Sequence, residues 1–324
     1  MKNKTRKILF GSAVAIGGAI VSTAAIAIGG SNYLIDYALK RPKKSGDDKK
    51  APRHEKGEVE KANYDFHRER VALWKTETKL RNVKIESHDG LQLSGHIYFA
   101  EGSDLWVVVV HGYKSDSTSV EDVACEYSEK GYNVLLPDLR SHGESEGKYI
   151  GMGYQDQYDI LEWISYIVER NPHASIVLHG QSMGGATVIM TAALPDLPEN
   201  VVAVVEDSGF SDGFQMMKEQ MRYRFHLPTF LILDTVSTFG KYRIQYDLRA
   251  ACPLKALEAI TVPILFIHGT KDEYVLPYMH EELYEAYKGE KESLLIEGAG
   301  HVASRNIEPE LYYTTVFEFI ERHT

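Results

Sequence analysis

From Val83 onward, apolar and polar positions fall into short alternating blocks. "LWVVVV" (residues 105–110) is an unbroken apolar run, the pattern of a strand covered on both faces. "YNVLLPD", "SIVLHG", "VVAVVEDSG", "VPILFIHG" and "ESLLIEG" repeat that pattern. Between them "VEDVACEYSEKG", "YQDQYDILEWISYIVER", "GATVIMTAAL", "HEELYEAYKG" and the closing "ELYYTTVFEFIERH" read as helices. Ahead of the series, "VKIES" and "LQLSGHIYF" flank His88-Asp89-Gly90, a hairpin signal. Repeated strand–helix units predict an α/β fold, a mostly parallel central sheet with helices on both faces. Ligands of such sheets bind at the carboxyl ends of the strands, so the chemistry is expected there.

The N-terminal pattern is different. Lys2, Lys4, Arg6 and Lys7 precede a stretch from Ile8 to Ile35 without a charged residue. Its length predicts a single-pass anchor over residues 1–40 and a cell-membrane location. A cleaved signal peptide, with Ala25-Ile26-Ala27 as a small-x-small site and a secreted product, is the alternative. Residues 41–62, "RPKKSGDDKKAPRHEKGEVEKA", are charged and nearly devoid of large apolar side chains, which predicts a solvated linker to a domain over residues 63–324.

Composition narrows the function. A chain of 324 residues with 44% hydrophobic positions is globular and fills one large domain or two smaller ones. A net charge of −10 argues against nucleic acid as the main partner. Cys125 and Cys252 read as buried thiols and cannot build a zinc pattern. There is no Gly-x-Gly-x-x-Gly or Walker loop, and no cofactor or metal is expected.

The predicted strand ends carry unusual residues. They include His111-Gly112-Tyr113-Lys114, Asp138 to Gly143, Ser182, His268 to Glu273, and Gly298-Ala299-Gly300-His301. Ser182 sits in Gly180-Gln181-Ser182-Met183-Gly184, between a predicted strand and a predicted helix. Gly180 and Gly184 remove the side chains that would clash in so tight a turn, and the helix N-terminus favours developing negative charge. Serine is a poor nucleophile until a base touches it, and the base needs a carboxylate to hold its tautomer. Ser182, Asp272 and His301 follow in the chain order serine, acid, histidine, each just past a strand.

With "HGYKSD", "DLRSHGESEG", "GQSMGG", "DSGFSD", "HGTKDEYV" and "GAGHV", residues 83–322 resemble a serine hydrolase of the α/β-hydrolase superfamily. They are most similar to its bacterial branch near esterases, lysophospholipases and serine aminopeptidases. The resemblance implies Ser182 as nucleophile, Asp272 as acid and His301 as base. It also implies an oxyanion hole from the N–H groups of Tyr113 and Met183. Residues 214–240, within an expected cap at about 209–255, match the position where the superfamily inserts a lid.

Alternatives remain at several positions. Ser182 could be a helix cap, and Glu273 or Asp207 could replace Asp272 as the acid. His111 and His142 read as loop braces, and Asp138 and Arg140 as fixing a loop. The expected reaction is hydrolysis of a small-molecule or lipid acyl ester through an acyl-enzyme on Ser182. A serine peptidase would use the same residues, and a non-catalytic binding module could reuse the fold.

Overall fold

The computed structural model describes residues 29–30, 32–42, 57–225 and 229–324. These fold as two units. The larger comprises residues 41–217 and 249–324, and the smaller comprises the chain up to Lys40 together with Lys218–Leu248.

The larger unit is built on an eight-stranded sheet in the order β1-β2-β4-β3-β5-β6-β7-β8. A hairpin, β1 (Leu80–Glu86) and β2 (Gln92–Tyr98), leads in, and β2 runs antiparallel to both β1 and β4. β3 (Leu105–Val110), β4 (Asn133–Pro137), β5 (Ser175–Gln181), β6 (Val201–Asp207), β7 (Ile264–Gly269) and β8 (Lys291–Ile296) are parallel. The unbroken apolar runs are explained by burial from both sides. Val107, Val109, Val177, Val205 and Ile267 belong to one core that also holds Tyr127, Val316 and Phe319. Those three come from α3 (Glu121–Glu129) and α11 (Pro309–Glu321). On the opposite face, Trp163 of α4 (Asp156–Arg170) lies against β2, where a Cβ on Gly95 would come within 3.1 Å of it. Also there, α5 (Met183–Ala192) is buried throughout, and Phe266 meets Tyr284 of α9 (Tyr278–Ala286) edge-on. Short helices α8 (Pro253–Ala256) and α10 (Ser304–Ile307) close the loops. Cys125 and Cys252 are buried free thiols.

α2 (Glu58–Glu77) begins inside the stretch read as linker. Its buried residues are Glu60, His67 and Trp74, seven apart, while Val59, Phe66 and Leu73 face solvent. Hydrophobicity therefore marks the wrong face of this helix, and periodicity could not find it. Trp74 packs on Tyr98 with ring centroids 4.1 Å apart, and Arg70 bonds Glu126 and Glu129 of α3.

In the smaller unit, α1 (residues 32–39) buries Ile35 and Leu39, and its Asp36 pairs with Arg243 of α7 (Thr229–Ile244) at 2.5 Å. α7 and α6 (Gly213–Phe225) are the helices inserted between β6 and β7, in the segment expected to form a cap.

The transmembrane expectation is overturned. Among the described residues no helix is long and apolar enough to cross a membrane. Of Ile8 to Ile35, the described residues are 29–30 and 32–35, all helical. The single-pass anchor and the cell-membrane location drawn from it do not stand. Residues 1–28, including the small-x-small site at Ala25-Ile26-Ala27, lie outside the described residues.

Candidate active site

Ser182 occupies the turn between β5 and α5 with φ 56° and ψ −119°, a left-handed conformation that side chains rarely adopt. The neighbouring glycines make the turn possible. A Cβ at Gly180 would strike the carbonyl of Gly184, and one at Gly184 would strike that of Val110. The Ser182 N–H donates to Asp207 O at 2.8 Å, which ties the turn to β6. Ser182 makes no side-chain cap to α5. Its Oγ turns instead to His301.

His301 Nε2 lies 2.8 Å from Ser182 Oγ, and its Nδ1 lies 2.7 Å from Asp272 Oδ2. A carboxylate only accepts, so Nδ1 carries the proton and Nε2 is left bare to accept from the serine. Asp272 Oδ1 accepts from the N–H groups of Tyr274 (2.8 Å) and Val275 (2.9 Å). Burial alone would raise the Asp272 carboxyl. Hydrogen bonds from His268 and His301 outweigh it and hold the group well below the usual carboxylate range. Asp207, the alternative acid, spends its oxygens elsewhere, on Ser208 Oγ at 2.7 Å and Tyr312 OH at 2.9 Å.

The loops bearing the acid and the histidine are laced together. Lys271 N–H donates to Ala299 O at 2.9 Å, and Gly298 N–H donates to Thr270 Oγ1 at 2.9 Å. Behind His301, Arg305 donates to Val302 O at 3.0 Å and to Asp122 of α3 at 2.6 Å. α2 adds a bond from Asn63 Nδ2 to Asn306 O at 2.9 Å.

The loop after β3 approaches the serine from the other side. A Cβ on Gly112 would stand 3.2 Å from Ser182 Cβ. Tyr113 follows directly, and Met183 opens α5, where the first N–H groups lack intrahelical partners. Two buried histidines brace this loop, as the sequence suggested. His111 accepts Leu139 N–H on Nε2 at 3.0 Å, and His142 accepts Lys114 N–H on Nε2 at 3.1 Å. Their Nδ1 atoms face the carbonyls of Gly112 and Arg140. Each imidazole is thus the neutral Nδ1–H tautomer, and burial beside His111 pushes His142 down to about 3. Asp138 accepts from Ser117 N–H (2.9 Å) and Glu144 N–H (2.8 Å). Arg140 is 2% exposed and fully engaged: two bonds of 2.6 Å reach Asp159, and bonds of 2.9 and 3.1 Å reach Asp89. It braces the loop rather than presenting a charge to the serine. Among the described residues, His88, Asp89 and Asp159 are the one group with metal-ligand spacing, and Arg140 already supplies their positive charge.

The sequence assigned no role to three nearby residues. The Tyr274 ring lies 4.9 Å from the His301 ring. His268 approaches Asp272, and Glu206 is fully buried one strand away. "VVEDSG" and "FIHGTKDEYV" did signal polar residues at buried strand ends, but period-two alternation does not say which neighbours they meet.

The family model for serine aminopeptidase, S33 matches residues 102–212, from just before β3 to just after β6, taking in Ser182. The uncharacterized protein YqkD of Bacillus subtilis (strain 168) is 26% identical over 238 residues, 73% of this chain and 78% of that one. A thermostable monoacylglycerol lipase of Bacillus sp. (strain H-257) is 24% identical over 245 residues, 70% of this chain and 94% of that one. Among solved structures, the Pyrococcus furiosus esterase Pf2001 matches with a TM-score of 0.63 and 26% identity, over 77% of this chain and 93% of that one. An acylaminoacyl peptidase of Pyrococcus horikoshii shares the fold, with a TM-score of 0.58 and 20% identity, over 76% of this chain and 42% of that one. The chain is a serine hydrolase of the α/β-hydrolase fold.

Proposed function

We propose that this enzyme hydrolyses carboxylic acyl esters, with Ser182 as nucleophile, His301 as base and Asp272 as the acid that holds it. The observation carrying the reading is the continuous path from Ser182 Oγ through both nitrogens of His301 to Asp272, in bonds of 2.8 and 2.7 Å. Ser182 Oγ attacks the ester carbonyl while Nε2 takes its proton. The N–H groups of Tyr113 and Met183 receive the oxyanion. His301 returns the proton to the leaving alcohol, the acyl group stays on Ser182, and water activated by His301 releases the acid.

A monoacylglycerol lipase and an esterase among the similar proteins support an ester substrate with one acyl chain. We further propose that the segment inserted between β6 and β7, which holds α6 and α7, shapes acyl-length preference. The peptidase reading uses the same residues. A panel of p-nitrophenyl esters of increasing acyl length, beside aminoacyl amides, separates the two, with Ser182→Ala as the blank. Faster turnover of the amides would reverse the assignment.

A further inference from the structure

We propose that His268 is a positioning residue of this site: it clasps the same Asp272 oxygen that His301 holds and keeps the shared carboxylate in line. The proposal rests on the ester-hydrolase reading of Ser182, His301 and Asp272. His268 sits at the end of β7, four residues before Asp272, and is fully buried. Its Nε2 faces two acceptors, Val275 O at 2.9 Å and Asp272 Oδ2 at 3.3 Å. A nitrogen between two acceptors must carry the proton, so Nε2–H is fixed as the donor.

Asp272 Oδ2 thus receives two imidazoles, His301 and His268, while Oδ1 receives two backbone N–H groups. A carboxylate held by one imidazole could swing about its Cβ–Cγ bond and drop His301. With donors on both oxygens, that rotation is blocked. The loop from Gly269 to Val275 gains the same benefit, since His268 bonds its far end at Val275 O.

The charged and titratable groups facing His268 come from each packed element. Asp272 comes from its own loop, Glu206 and Asp207 from β6, and His280 from α9 with a ring 5.7 Å away. Burial lowers the His268 imidazole, but the bond to Asp272 and its charge raise it above its ordinary value. The bond from His268 helps hold the Asp272 carboxyl down, and removing it leaves the carboxylate more basic. The acid limb of ester turnover would then move to higher pH.

The test compares His268→Leu, His268→Met and His268→Gln with wild type, using the rate of fluorophosphonate labelling of Ser182 and ester kcat and KM against pH. Gln places an amide nitrogen where Nε2 stands. Leu and Met should slow labelling and kcat on the order of ten- to a hundred-fold with KM little changed, and should move the acid limb of the profile to higher pH. Gln should recover most of the rate. Wild-type labelling with an unmoved acid limb in the Leu or Met variant overturns the role. So does a Gln variant labelled as slowly as they are, which also serves if neither apolar variant folds. Labelling that persists in Ser182→Ala would instead overturn the reading beneath it.

Discussion

Gly112 backs directly onto Ser182: a methyl at residue 112 would stand 3.2 Å from the serine Cβ and 3.7 Å from its Oγ. The first distance is tighter than ordinary contact, and the neighbour is the proposed nucleophile. Gly112→Ala should therefore slow ester turnover about ten-fold or more by displacing Oγ from His301, with a melting temperature close to wild type. Fluorophosphonate labelling and a thermal melt on the same sample check both halves.

Ser182→Ala and His301→Ala should each abolish measurable ester turnover, and Asp272→Asn should lower kcat by roughly 10⁴. The double variants should be no worse than the weaker single ones, because the three side chains act as one unit. Glu273→Gln should retain most of the activity. A Glu273→Gln enzyme as impaired as Asp272→Asn would move the acid by one residue.

Arg140→Met removes the cation between two carboxylates, one of them the buried Asp159. An uncompensated buried charge costs roughly 3–5 kcal/mol, so the variant should unfold at clearly lower urea concentration. Burial, and then the charge of Asp159, already push Asp156 up to about 7. Arg140→Met/Asp159→Asn should recover part of the loss. If Arg140 acted on substrate instead, KM would rise with no change in urea midpoint.

Burial pushes Glu206 up to about 8. Its folded value lies above its unfolded one, so stability linked to its proton is full below the ordinary carboxylate pKa and is lost as pH rises towards 8. Gln imitates the protonated acid without that loss, and it can keep the bond from Gly209 N–H. Glu206→Gln should match wild type near pH 4 and exceed it increasingly up to about pH 8, by on the order of 1 kcal/mol or more. Urea midpoints at several pH values decide this. A gap that does not widen with pH would mean that folding does not raise the Glu206 carboxyl above its unfolded value.

The sheet was legible in the sequence because each parallel strand is buried on both faces. Runs such as Val107 to Val110 and Ile264 to Ile267 have no polar partner within the strand and announce themselves without periodicity. The turn at Ser182 was legible because it needs Gly180 and Gly184 at fixed spacing, and because serine, aspartate and histidine follow in that order past the ends of β5, β7 and β8. The rest depended on contacts between distant parts of the chain. α2 buries Glu60, His67 and Trp74 and exposes Val59, Phe66 and Leu73, so only its neighbours decide which face is inside. The choice of Asp272 over Asp207 rests on which carboxylate meets His301, a distance set by the lacing of Lys271 and Thr270 to Ala299 and Gly298. The braces at His111 and His142 and the clasp at His268 are hydrogen bonds with defined tautomers, made by ring nitrogens to groups that sequence spacing does not bring together. Apolar burial is written into the order of residues along a strand, whereas the direction of a donor and its acceptor exists only once the strands are side by side.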